Sequence, residues 1–181
     1  MLLHLLTVGS VLISSLAAVS AAETNSTVAK IGVYDSRAVA YAHFWSAAYQ
    51  KQLQEKMNTA RAAKQAGDDA KFKELSAALK AEQEQNHRQV FSTAPVEDAM
   101  DTIKDRLPEI QKQAGVTTIV SKWDETTLKK YETATRVDVT DTLVREFITP
   151  DEKQAKILSS IENQKPIPLE KCDELIRKGE L

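Results

Sequence analysis

Few residues of this 181-residue chain have types and spacing suited to chemistry. Asp35-Ser36-Arg37 sets a hydroxyl between a carboxylate and a guanidinium, the raw material of an activated nucleophile. No base is placed near it by the sequence, and the same three residues after an extended run serve as turn and helix-capping chemistry. His43 and His87 sit at comparable distances on either side of the turn expected near residue 67, so antiparallel arms would let them approach each other. Without a fixed carboxylate or cysteine partner they are a weak metal signal. Trp123-Asp124 reads as a strand-end aromatic followed by a turn carboxylate. Cys172 is the single cysteine, which excludes an intramolecular disulfide, and its place on an apolar helix face reads as a packed thiol. Five glycines leave no room for a phosphate-cradling loop. The sequence therefore predicts no catalytic, cofactor-binding or metal site, and a protein that is not an enzyme.

The elements that would position these residues are mostly helical. From Ala38 to Gly115 the chain is rich in Ala, Gln, Glu and Lys, good helix formers, with no proline before Pro95. Gly67 can end one helix in a left-handed cap and Asp68 or Asp69 can start the next, which predicts a helical hairpin. If helical throughout, Ala38 to Ala66 is about 29 residues and roughly 43 Å long. Tyr41, Trp45 and Tyr49 fall on one face, with Phe44 and Ala48 beside them, and such a stripe packs a core or grips an apolar ligand. Leu53, Met57 and Ala60, answered by Phe72, Leu75 and Leu79, make a thin coiled-coil seam that fades from Ala81 to Gln89, where the arm should be largely solvated.

Ser92-Thr93-Ala94-Pro95 should break the helix and restart it, with Ser or Thr as cap and Pro in the first turn. Val96, Met100, Ile103, Leu107, Ile110 and Ala114 then repeat as a heptad, which Pro108 should kink or restart near Arg106. Ala29 to Tyr34, Val116 to Val120 and Thr135 to Val139 are β-branched and short, and read as strands. A polar helical turn is expected near Thr127 to Tyr131, and a helix from Thr140-Asp141 with Leu143, Val144 and Phe147 inward. Thr149-Pro150-Asp151-Glu152 reads as a capping box with proline at the first helical position, Leu158 and Ile161 facing inward. Lys165-Pro166-Ile167-Pro168 is a linker before a last amphipathic helix carrying Leu169, Cys172, Leu175 and Ile176. The predicted class is α+β and mostly helical: a long antiparallel helical hairpin, a coiled-coil arm over about 38-114, inserted in a small β-sheet, with extra C-terminal helices.

Composition narrows the function classes. The 24 basic and 26 acidic residues nearly cancel, so no global field draws the chain to nucleic acid, and contact with a membrane surface would be weak. Residues 1-22 have an apolar stretch, no Lys or Arg, and small residues before Ala22, which predicts a signal peptide cleaved after Ala21 or Ala22, with an uncleaved anchor as the rival reading. Export without disulfides suits a bacterial periplasm. Asn25-Ser26-Thr27 is a glycosylation sequon that matters only in a eukaryotic host.

Lys30-Ile31-Gly32-Val33-Tyr34-Asp35-Ser36-Arg37, a long helical hairpin, Gly115-Val116 with Ile119-Val120, Asp124, and Val137-Asp138-Val139-Thr140-Asp141-Thr142-Leu143-Val144 together resemble the Skp/OmpH family of periplasmic chaperones. The resemblance spans residues 29-147, so 23-148 reads as the family-like domain and 149-181 as an added helical extension. It implies a homotrimer with a small β core and three helical arms around a cavity, holding unfolded outer-membrane proteins without ATP or metal. The client-contact candidates are the stripe residues Tyr41, Trp45 and Tyr49 and the basic residues Arg61, Lys64, Lys71 and Lys73 at the tip, where a merely solvated tip is the competing reading. The family's arms are typically strongly basic, whereas this chain has a pI near 6.0. The neutral charge and the extension motivate an alternative, a non-catalytic envelope scaffold or adaptor binding one specific partner.

Overall fold

The computed structural model describes residues 29-181; the expected signal peptide and the sequon lie outside them. Among the described residues three strands and nine helices follow one another, and the fold is α+β with helix predominant. The strands are β1 (Lys30–Tyr34), β2 (Ile119–Ser121) and β3 (Thr135–Asp138), ordered β2-β1-β3 and all parallel. Gly32 stands opposite Ile119 on one side and Val137 on the other. Because parallel strands cannot be joined by a tight hairpin, every connection must cross over, and the helices occupy those crossovers.

Alternation along β1 divides the core. Ile31 and Val33 face Val120, Leu128, Tyr131 and Ala134, while Tyr34 faces the larger cluster with Val39, Phe44, Val96, Ile103, Ile110 and Leu143. Gly32 sits under that larger cluster. A β-carbon on it would lie 3.2 Å from Ile119 Cγ1 and Val139 Cγ2, so the glycine lets flanking side chains close over the central strand.

Asp35 caps the helix that follows β1, its carboxylate accepting from Arg37 N at 3.0 Å. This helix, α1 (Ser36–Trp45), ends sooner than expected: Ser46 leaves helical geometry and becomes the cap of α2 (Ala47–Gln65), its hydroxyl accepting from Tyr49 N. The single helix expected from Ala38 to Ala66 is thus two, because serine satisfies the orphan amides of a new helix as readily as it continues an old one. The aromatic stripe splits with it. Tyr41 is buried and Trp45 is 53% exposed, while Tyr49 turns toward His43 and Phe44, each ring 5.2 Å away. The reading of Trp45 as a core residue is corrected accordingly.

Gly67, at φ 72°, turns the chain into α3 (Asp69–Phe91), which Asp68 caps through Lys71 N. The two helices pack side by side, joined by Lys56 to Glu82 at 2.8 Å. The stretch from Ala81 to Gln89 is not largely solvated as expected. Gln89 is fully buried, donating to Pro95 O at 2.9 Å and Asp98 Oδ1 at 2.7 Å, and Glu82, Asn86, His87 and Arg88 are half-buried.

Ser92 closes α3 through its hydroxyl to Arg88 O, but the next helix, α4 (Glu97–Thr102), starts at Val96 with no side-chain cap, so neither Ser92 nor Thr93 caps it. A turn leads to α5 (Leu107–Ala114), which restarts after Arg106 with Pro108 in its first turn. The heptad positions from Val96 to Ala114 all join the main cluster although the helix is broken. Pairing with β1 begins at Thr117 and Thr118 by backbone bonds to Lys30 and Gly32, and the regular strand β2 is shorter than expected and shifted by one residue to Ser121.

The short helix α6 (Glu125–Lys129) links β2 to β3, and α7 (Thr140–Arg145) follows β3 with Leu143 and Val144 buried. The extension packs onto the rest. In α8 (Glu152–Asn163) the capping box is formed by Asp151 and Gln154, so Pro150 precedes the cap instead of occupying the first helical position. Leu158 of α8 packs on Ala38, Tyr41 and Ala42 of α1. In α9 (Leu169–Lys178), Asp173 pairs with Arg88 at 2.6 Å and buried Cys172 lies 3.9 Å from His87 O, which is why the α3 stretch beneath it is covered.

Candidate functional site

Parallel pairing brings the carboxyl ends of all three strands to one place, the end of an open sheet where ligand and catalytic groups generally collect. Asp35 follows β1, Lys122 and Trp123 follow β2, and Thr140 follows β3. The Asp35 carboxylate is fully buried and accepts from Arg37 N, Arg37 Nε at 3.1 Å and Trp123 Nε1 at 3.0 Å on one oxygen. Its other oxygen accepts from Arg37 Nη2 and Lys122 Nζ, each at 2.8 Å. Thr140 Oγ1 accepts from Asp35 N at 3.0 Å.

Burial pushes the Asp35 carboxyl toward its neutral form, yet the bonds from Arg37, Lys122 and Trp123 outweigh burial and hold it below the ordinary carboxylate range. A saturated, strongly ionised carboxylate is a poor proton acceptor. Ser36, beside it, is buried, and among the described residues its hydroxyl has no hydrogen-bond partner, a base included. The triplet is instead a cross-brace: Arg37 Nη2 also donates to Ile161 O of α8 at 2.7 Å, and the guanidinium lies 5.0 Å from the Trp123 ring centre.

Beside this brace lies a cavity of about 480 Å³ lined by Tyr34, Ser36, Thr93, Glu97, Ser121 and Asp124. The Tyr34 phenol is pushed up to about 12 by burial and then by Glu97 and Asp124, so it stays protonated at neutral pH. Asp124 itself caps α6 through Thr127 N.

The client-contact candidates fall in three separate places. Tyr49 borders an open apolar groove of about 440 Å³ between α2 and α3, with Leu53, Met57 and Leu79 along it. Its phenol donates to Glu82 Oε1 at 2.9 Å and accepts from Asn86 Nδ2 at 2.7 Å, and it is pushed up to about 12, chiefly by burial. Tyr41 and Trp45 border a second apolar groove of about 280 Å³ with Phe91, His87, Ile157 and Ile161, walled by α1, α3 and α8. Arg61, Lys64, Lys71 and Lys73 are exposed around the Gly67 turn. There Arg61 donates to Asn58 at 3.1 Å and Lys64 lies 5.2 Å from the Phe72 ring centre.

His43 and His87 are packed in different surroundings. His43 lies among Phe44, Tyr49 and Phe147, and His87 stacks edge-on against Phe91. Among the described residues no cluster of three or more His, Cys, Asp or Glu side chains is arranged to hold a metal. The brace has no local sequence signature beyond Asp35-Ser36-Arg37 and Lys122-Trp123 each standing directly after a strand. That shared position was the available signal. No family model, curated protein or solved structure matches the chain.

Proposed function

We propose that the protein is an ATP-independent holdase of the bacterial periplasm, with α2 and α3 forming a coiled-coil hairpin arm that shields apolar segments of unfolded outer-membrane or envelope proteins. The observation that carries this reading is the open groove between α2 and α3, where Met57 is 43% exposed and Leu53 and Leu79 are half-buried. A holdase needs weak, adaptable apolar contact rather than a pocket that orients a reaction, and an unbranched methionine adapts to many partners. The exposed cations around Gly67 favour approach of acidic client segments. In this reading the protein is a homotrimer whose arms surround a common cavity.

A second reading, a scaffold for one specific partner, draws on the extension: α8 completes the walls of the Tyr41/Trp45/Phe91 groove, a shaped surface beyond what a general shield requires. The solution mass of residues 23-181, measured by light scattering after size exclusion over a range of concentrations, separates the two. We expect a trimer. A monomer at every concentration would remove the shared-cavity mechanism and favour the scaffold.

A further inference from the structure

We propose that His43 is a pH-sensitive joint: protonating it loosens the docking of α2 and α3 against the sheet-bearing body, whether or not the protein is a chaperone. The imidazole sits in the last turn of α1, just before the Ser46 break, and Ser46 N donates to His43 O at 3.0 Å. Its half-buried ring is flanked by three aromatic rings, Phe44 at 5.6 Å, Tyr49 at 5.2 Å and Phe147 at 5.5 Å. Its Nδ1 is buried and has no hydrogen-bond partner among the described residues. In the neutral ring Nδ1 can remain a bare acceptor at modest cost; in the imidazolium it becomes a charged donor facing hydrocarbon, which is far costlier.

The ring is also one of the points where the helix pair meets the body. Tyr49 stands edge-on to His43 and carries, through its phenol, the hydrogen bonds to Glu82 and Asn86 of α3. A displacement of His43 therefore reaches both helices through one side chain, at a break already lacking a continuous helical backbone.

The charged groups around the box do not rescue the imidazolium. Asp98 of α4 favours the charged ring, but burial outweighs it and the pKa lies below the ordinary 6.5. One oxygen of Asp98 already accepts from Gln89. Glu82 of α3 is paired with Lys56, and Glu146, next to Phe147, is paired with Arg106 at 3.1 Å. Tyr49 is uncharged through the whole range concerned. Since the docked state binds the proton less readily than the released state, docking is at full strength above pH 6.5 and weakens as pH falls below it. The loss levels off once pH is below the lowered value.

The test is amide hydrogen exchange of the whole mature chain at pH 7.5 and 5.0, corrected for intrinsic exchange chemistry and compared with His43→Phe and His87→Gln. In the wild type and His87→Gln, α2 and α3 amides should lose protection severalfold at the lower pH, beyond the change in intrinsic exchange. His43→Phe, which fills the aromatic box without a titratable group, should show no such loss. An unchanged wild type, or an equal loss in His43→Phe, overturns the proposal. Should that variant not fold, an NMR titration of the wild type decides: His43 and the Tyr49 ring should shift together with a midpoint below 6.5. A midpoint at or above that value, or an unresponsive Tyr49 ring, overturns it.

Discussion

Replacing Asp35 with alanine is expected to destabilise the fold by about 3–5 kcal/mol, the cost of removing one partner from a buried ion pair. Arg37 is only 3% exposed, and alanine would strand its guanidinium with the Ile161 carbonyl as its remaining hydrogen-bond partner. Lys122 retains partial access to water and contributes less to the loss. Trp123 Nε1 loses its acceptor as well. Asp35→Asn keeps an acceptor oxygen for the indole and should fall between alanine and wild type. Urea denaturation followed by tryptophan fluorescence reads these differences, and a loss below about 1 kcal/mol would show that the brace relaxes without consequence. The pH dependence has a fixed sign. Because the folded carboxyl titrates below its unfolded value, near 3.8, its contribution is complete above that pH and is lost as pH falls through the folded value. Asp35→Ala should lack that acid limb.

The second large effect concerns the groove between α2 and α3. The combined change Leu53→Ser, Met57→Ser and Leu79→Ser should leave helix content almost unaltered, since Met57 is exposed and the two leucines are half-buried. On the holdase proposal it should weaken the holding of an unfolded outer-membrane protein about tenfold, equivalent to about 1.4 kcal/mol, a modest total for three apolar contacts surrendered to polar side chains. Holding is measured by the concentration of protein that half-suppresses light scattering when a urea-denatured client is diluted. An unchanged value would place client contact elsewhere, the Tyr41/Trp45/Phe91 groove being the next candidate.

Local signals were legible wherever one residue type dominates the backbone choice. Gly67 with Asp68 marks the turn, Pro108 marks the restart of α5, and the β-branched Ile31 and Val33 mark the first strand. Capping residues were harder to read, because several neighbours can perform the same chemistry. Ser46 ends α1 where helix propensity alone would continue it, and Asp151 takes the cap that Thr149 also offered. What could not be read was long-range pairing. The parallel order β2-β1-β3 joins Asp35 to side chains 88 and 105 positions away, and no local period encodes that neighbourhood. The covering of Gln89 and His87 likewise depends on where α9 docks. Amphipathic periodicity shows that α9 has an apolar face without naming what it covers.

The measurement that tests the central claim most directly is suppression of aggregation by the purified mature chain, without ATP, for several unrelated denatured outer-membrane proteins diluted from urea. The account predicts suppression of all of them near stoichiometric amounts. No suppression of any client would contradict it.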